Sequence, residues 1–222
     1  MIEIRNLSKS FTHSTGQIDI LHNISLTIEK GQWYTILGPS GAGKTIFLGC
    51  IAGLLPPTTG EVLYDDIELY QLSDKARGNY RRKHIGFVYQ NFKFLSHYSI
   101  VDNVILPFIH DEPKKTLYPK AITLLEQVGI DPELFERFPE DLSSEEKHRV
   151  AIARALLGNP SILICDEPTG NLNVESRNEL LNLLSFYRAQ GQTIIMVTRD
   201  EEATRLSDYT YKLIDKQLIK LK

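Results

Sequence analysis

The chain has 222 residues, 42% hydrophobic and 24% charged, with a formal net charge of −3 at pH 7. That length buries a substantial core. The composition excludes a disordered or fibrous chain, and the near-neutral charge leaves no electrostatic footprint for nucleic acid. Two cysteines, Cys50 and Cys165, fall in no metal-ligand or CxxC spacing, which fits a reducing compartment. No stretch approaches the roughly 20 apolar residues that span a bilayer. Residues 1–10 carry Glu3, Arg5 and Lys9 and lack the apolar core of a signal peptide. The expectation is a cytoplasmic chain that meets a membrane only through a partner.

Residues 2–6 and 20–28 read as strands joined by polar turns, and 33–37 is an apolar, β-branched run of the buried-strand kind. After Gly43 the pattern turns helical over 44–52, stopped by Gly53 and the Pro56-Pro57 pair. Between 96 and 157 the residues favour helix, with amphipathic runs at 119–128 and 145–157. An apolar strand at 161–165, an amphipathic helix at 174–189 and a second apolar strand at 193–197 give the βαβ alternation of a parallel sheet. The expected class is α/β, in one domain covering 1–222, with a helical insertion.

Gly38-Pro39-Ser40-Gly41-Ala42-Gly43-Lys44-Thr45 matches GxxxxGK[ST] without gaps, directly after a predicted strand and at the start of a helix. Glycines let backbone N–H groups turn toward phosphate oxygens, and the helix N-terminus adds positive partial charge. Lys44 is expected to reach the β- and γ-phosphates, and the Thr45 hydroxyl to ligate magnesium. A glycine turn that binds nothing is the alternative, and the strand–turn–helix context argues against it. Further on, the apolar run Ile162-Leu163-Ile164-Cys165 delivers Asp166 and Glu167 together. Adjacent acids at the end of a buried strand are costly unless they serve a cation or a reaction. Asp166 suits the magnesium shell, and Glu167 suits polarising an attacking water.

Three more segments narrow the reading. Ile85-Gly86-Phe87-Val88-Tyr89-Gln90 resembles the Q-loop of ABC ATPases. Leu142-Ser143, with Glu146 and then Arg149-Val150-Ala151-Ile152-Ala153-Arg154-Ala155-Leu156, resembles their signature helix. Asp166-Glu167-Pro168-Thr169-Gly170-Asn171-Leu172 resembles their Walker B and D-loop run. The resemblance covers essentially the whole chain. Residues 72–75, 81–92, 102–104 and 106–107 look like the branch serving lipoprotein release (LolD type), macrolide export (MacB type) and cell division (FtsE type).

The resemblance implies a P-loop NTPase (RecA-like) core with an N-terminal antiparallel β-subdomain, the core spanning about 1–90 and 158–222 and a helical subdomain about 91–157. It implies ATP and Mg2+ as ligands, and two ATP-binding subunits that sandwich nucleotide as a homodimer or heterodimer. It also implies a transmembrane permease-like partner of the FtsX, MacB or LolCE kind, engaged through a groove of the helical subdomain at the inner face of the plasma membrane. By the same resemblance Gln90 contacts magnesium, Ser143 reaches the partner subunit's γ-phosphate, and Phe11 stacks on adenine, with a core phenylalanine as the alternative. The basic run at 81–84 has no interleaved aromatics and reads as a solvated edge or partner contact, so no nucleic acid is expected.

Four motifs depart from the family's spelling. The usual LSGG becomes Leu142-Ser143-Ser144-Glu145, Arg199 stands where a histidine contacts the γ-phosphate, Asn173 replaces the aspartate that ends the D-loop, and Ile46 follows Thr45 in place of a hydroxyl residue. A carboxylate at 145 facing phosphate would cost on the order of 4 kcal/mol at about 4 Å and an effective dielectric near 20, unless turned away or neutralised. Arginine binds phosphate but cannot shuttle a proton. The expectation is that Glu145 and Arg199 pair across the closed dimer. An ATPase motor is the leading reading, and a nucleotide-gated scaffold without appreciable turnover is the alternative. A soluble ABC ATPase of DNA repair or translation is disfavoured, since no long coiled coil separates the motifs.

Overall fold

The computed structural model describes residues 1–14, 16–170 and 172–222, so Asn171 of the D-loop run lies outside the described residues. In chain order the elements are β1 (Ile2–His13), β2 (Gly16–Ile28), β3 (Trp33–Leu37), α1 (Lys44–Ile51), β4 (Thr59–Tyr64), β5 (Ile67–Glu68), α2 (Asp74–His84) and β6 (Ile85–Val88). There follow α3 (Ile100–Ile105), α4 (Lys114–Gln127), α5 (Ser144–Leu156), β7 (Ile162–Asp166), α6 (Val174–Ala189), β8 (Thr193–Thr198), β9 (Tyr209–Ile214) and β10 (Gln217–Lys220). Short 3-10 turns fill several of the connections.

Two sheets form. β3, β7 and β8 are buried along their whole length, and apolar runs covered on both faces belong in a parallel sheet. They lie in the order β10-β9-β3-β8-β7-β6, parallel from β9 to β6, with β10 antiparallel at the edge. The register sets Leu37 beside Thr198 and Asp166 beside Val197, so the loops after β3, β7 and β8 open at one end of the sheet. The second sheet, β2-β1-β4-β5, is antiparallel.

β1 and β2 run well beyond the strands expected at 2–6 and 20–28. Pairing from Lys9↔Leu21 to His13↔Gly16 satisfies the backbone, while most of the side chains there face solvent and leave no apolar signature. α2 has no buried residue, so periodicity gives no sign of it; Ser73 caps it by accepting the Ala76 N–H at 3.3 Å. The run Arg81 to His84 forms its last turn, where cations suit the helix dipole. Arg81 donates to the Gly53 carbonyl at 3.1 Å, and Arg82 pairs with Asp111 at 2.9 Å. α4 begins five residues before Pro119, although proline removes a helical bond. Asp102 of α3 anchors that first turn, accepting from Lys114 at 2.9 Å and Tyr118 at 2.7 Å, and Leu117 is buried.

The core divides into two apolar clusters. One packs the inner helices α3, α4 and α5 on β7 and includes Val104, Leu125, Val150, Ile152 and Leu163; the other lies between the antiparallel sheet, α1 and the central sheet and includes Ile4, Ile36, Phe47 and Leu48. Each fully buried side chain of this size contributes about 1.5–3 kcal/mol relative to exposure. Burial pushes the Cys50 thiol up to about 11, which keeps it inert near neutrality. Among the described residues, no helix is long and apolar enough to cross a membrane.

Candidate active site

The glycine turn is built by β3 and α1. Gly43 is the N-cap of α1 in a left-handed conformation at φ 96°, and a Cβ there would lie 2.8 Å from Ile20 Cγ2 of β2. A Cβ on Gly38 would lie 2.8 Å from the Leu213 carbonyl oxygen. The turn therefore leaves a cavity of about 290 Å³ whose lining includes Ser40 to Ile46, Ile20, Gln90, Glu167 and Arg199. Five parts of the sequence converge there. Ile20 is a lining residue that sequence reasoning missed; its place opposite Gly43 depends on the packing of β2.

Lys44 is 5% exposed, and its ammonium donates to its own chain's Gly38 and Pro39 carbonyls at 2.8 and 3.0 Å. It also stands 3.1 Å from Glu167 Oε1. Glu167 is the residue after β7, with φ at 49° and its N–H donated to Val197 of β8 at 2.9 Å, which fixes the side chain toward the cavity. Its Oε2 accepts the backbone N–H of Arg199 at 3.1 Å, and the Arg199 Nε is 3.6 Å from Oε1. A carboxylate 8% exposed is thus neutralised by two cations, one of them buried.

Asp166, 3% exposed, accepts the Thr45 hydroxyl at 3.1 Å. Burial pushes its pKa above the ordinary carboxylate range; the Thr45 hydrogen bond and Lys44 oppose that, and Glu167 adds to it. A buried carboxylate beside a hydroxyl, with no direct cationic partner of its own, is an oxygen donor set that fits magnesium.

Gln90 enters the cavity from the loop after β6. Phe92 and Lys93 in that loop have φ of 51° and 56°. Arg154 of α5, 7% exposed, holds them by donating to the carbonyls of Phe92 and, at 3.3 Å, Lys93, and its guanidinium stacks 4.9 Å over the Phe94 ring. This anchor escapes sequence reading because Arg154 sits within an otherwise apolar helical run. Burial pushes His148, also on α5, below the ordinary imidazole range. Its Nδ1 lies 2.7 Å from the Ser144 carbonyl and its ring packs edge-on to Phe92.

Phe11 and Ser143 lie outside the cavity lining. Phe11 is 40% exposed, with the Lys9 ammonium 5.0 Å from its ring centre, so it is no core residue. Ser143 caps α5, its hydroxyl oxygen accepting the Glu146 N–H at 3.2 Å while Glu146 accepts the Ser143 N–H at 2.7 Å. The Ser143 hydroxyl proton stays available to an outside acceptor. Glu145 and Arg199, expected to pair across a dimer, each have partners within the chain: Glu145 accepts from Ser176 and Asn173 of the α6 first turn and its cap, and Arg199 holds Glu167. Glu145 thus turns onto the start of α6.

Comparison with known proteins gives the family. The sequence profile of the ABC transporter family matches residues 21–170. An uncharacterised ABC transporter ATP-binding protein of Methanocaldococcus jannaschii is 39% identical over 222 residues, covering 100% of this chain and 99% of the relative. The lipoprotein-releasing system ATP-binding protein LolD of Syntrophus aciditrophicus is 39% identical over 93% of this chain and 94% of its own length. The macrolide export ATP-binding/permease protein MacB of Chlorobaculum tepidum is 36% identical over 97% of this chain, which spans 33% of that longer protein. An ATP-binding cassette solved as a dimer in a post-hydrolysis state with ADP and Pi superimposes with a TM-score of 0.93 at 32% identity, covering 100% of this chain and 99% of that one. The chain belongs to the ABC transporter family, as an ATP-hydrolysing cassette.

Proposed function

We propose that this cassette binds Mg·ATP in the turn from Gly38 to Thr45 and drives a LolCE-, MacB- or FtsX-like membrane partner at the inner face of the plasma membrane. The observation that supports the site assignment most is the convergence of Lys44, Gln90, Glu167 and Arg199 on one cavity beside the glycine turn. Gly38, Pro39, Ser40, Gly41, Ala42, Gly43 and Ile46 shape the phosphate cradle, and Phe11 supplies a ring for adenine. Thr45, Asp166 and Gln90 would hold magnesium, which would neutralise charge developing on the phosphates.

Lys44 has two anionic calls on it. It neutralises Glu167 in this structure, and toward a bound phosphate the ammonium turns to the stronger anion. Glu167, released but still held by the Arg199 N–H, then accepts the proton of the attacking water. Arg199 acts as a fixed positive charge rather than a proton carrier. Ser143 donates its free hydroxyl proton to the nucleotide held by the second subunit.

Residues of about 91–157 move as a helical subdomain against the core of 1–90 and 158–222, and the groove between them receives the membrane partner. That groove has a volume of about 140 Å³ and is lined by Leu54, Arg81, Phe87, Phe108 and Arg154 among others. Leu54, 40% exposed, is an apolar contact at its edge. Leu54→Glu is expected to abolish co-purification with the membrane partner; undiminished co-purification locates the contact elsewhere.

A further inference from the structure

α5 and α6 begin side by side, and one side chain joins their first turns. Glu145, the second residue of α5, accepts through Oε1 from the Ser176 hydroxyl and from Asn173 Nδ2 at 3.3 Å. Asn173 is the N-cap of α6, and its other amide atom, Oδ1, accepts the Ser176 N–H at 2.9 Å. The carboxylate stands at the positive ends of two helices, where negative charge is favoured. One amide therefore does two things: its oxygen caps α6 and its nitrogen holds Glu145. An aspartate at 173 would cap equally well. It would also set a second carboxylate against Glu145 where a donor now stands. Two departures from the family's spelling are matched to each other within one chain.

Two short paths lead from this joint to Glu167. In the first, the Leu172 N–H donates to the Thr169 carbonyl at 3.4 Å and the Gly170 N–H to the Glu167 carbonyl at 3.1 Å. In the second, Arg177 in the first turn of α6 lies 3.3 Å from the Asp200 carboxylate, next to Arg199, which grips Glu167. We propose that Glu145 and Asn173 form one positioning device that sets α5 in register with the Glu167–Arg199 cluster. The inference rests on the chain turning over ATP through Glu167, and adds two positioning residues to that reaction.

The test is a cycle of Asn173→Asp, Glu145→Gln and the double variant in the full chain. It is followed by steady-state ATP hydrolysis, by hydrogen exchange of the amides at 172–177 and by thermal unfolding. Asn173→Asp should lower kcat about tenfold, in the range that coupled neighbours show, and leave KM for ATP within about twofold because the phosphate cradle lies elsewhere. The double variant should recover most of the lost kcat, since a glutamine amide can donate to the new carboxylate. Exchange at 172–177 should speed up in Asn173→Asp and return toward wild type in the double variant. A double variant no better than Asn173→Asp, or an Asn173→Asp enzyme as fast as wild type, overturns the proposal. So does a loss of unfolding midpoint shared equally by both variants, which would mark a purely structural role. Exchange needs no turnover, so a wild-type chain without hydrolysis would sink the ATPase reading while the exchange pattern still decides the tie.

Discussion

Lys44 and Arg199 approach Glu167 from opposite ends of the sequence; motif spacing points to the first and family resemblance to the second. Phosphate chemistry demands fixed residue types at fixed intervals, so Lys44, Thr45, Asp166 and Glu167 are legible without a structure. The grip of Arg199 on Glu167 depends on β8 lying beside β7, which no spacing encodes. Since position 199 serves as a positive charge, Arg199→His should keep that charge only below pH ~6.5, so kcat of the variant should fall as the pH rises through that value, read from the pH profile of kcat. Asp166 carries a second prediction. Its pKa is raised by burial, so the fold favours its protonated form. That contribution is most favourable below the unfolded carboxylate pKa and is lost as the pH rises through the folded one. Above the folded pKa the buried carboxylate is destabilising. Asp166→Asn should therefore raise the unfolding midpoint of the nucleotide-free chain, by ~2–4 °C for each kcal/mol relieved, while removing magnesium-dependent hydrolysis.

At the scale of elements, β3, α1, β7, α6 and β8 match their sequence-read bounds to within a residue or so, because each carries an apolar pattern that the core enforces. α2 and the outer parts of β1 and β2 bury little and leave no pattern to read. α5 holds a different lesson. Its apolar face is legible, but its buried polar residues, His148 and Arg154, gain meaning only once the loop after Gln90 packs on it. Burial holds the His148 pKa below its unfolded value, so its contribution to stability is complete above pH ~6.5 and is lost as the pH falls from there through the folded pKa. His148→Gln should flatten that acid-side loss, measured as the unfolding midpoint between pH 7.5 and 5.

For the whole molecule, the α/β class, the helical insertion and the ATP site follow from the sequence, while the cis partners of Glu145 do not. A carboxylate in place of a signature glycine reads as a threat to phosphate binding. In the structure the side chain turns onto the start of α6, where an amide and a hydroxyl receive it. The altered motifs are thus compatible with a working motor that hydrolyses ATP through Glu167. The measurement that tests this most directly is steady-state magnesium-dependent ATP hydrolysis by the purified chain beside Glu167→Gln, with ATP binding measured on both. The account predicts turnover by the wild type, a loss on the order of 100-fold or more in the variant, and ATP affinity in the variant at least equal to the wild type's, since Glu167 no longer competes for Lys44. Tight ATP binding by both with the same background hydrolysis would contradict it.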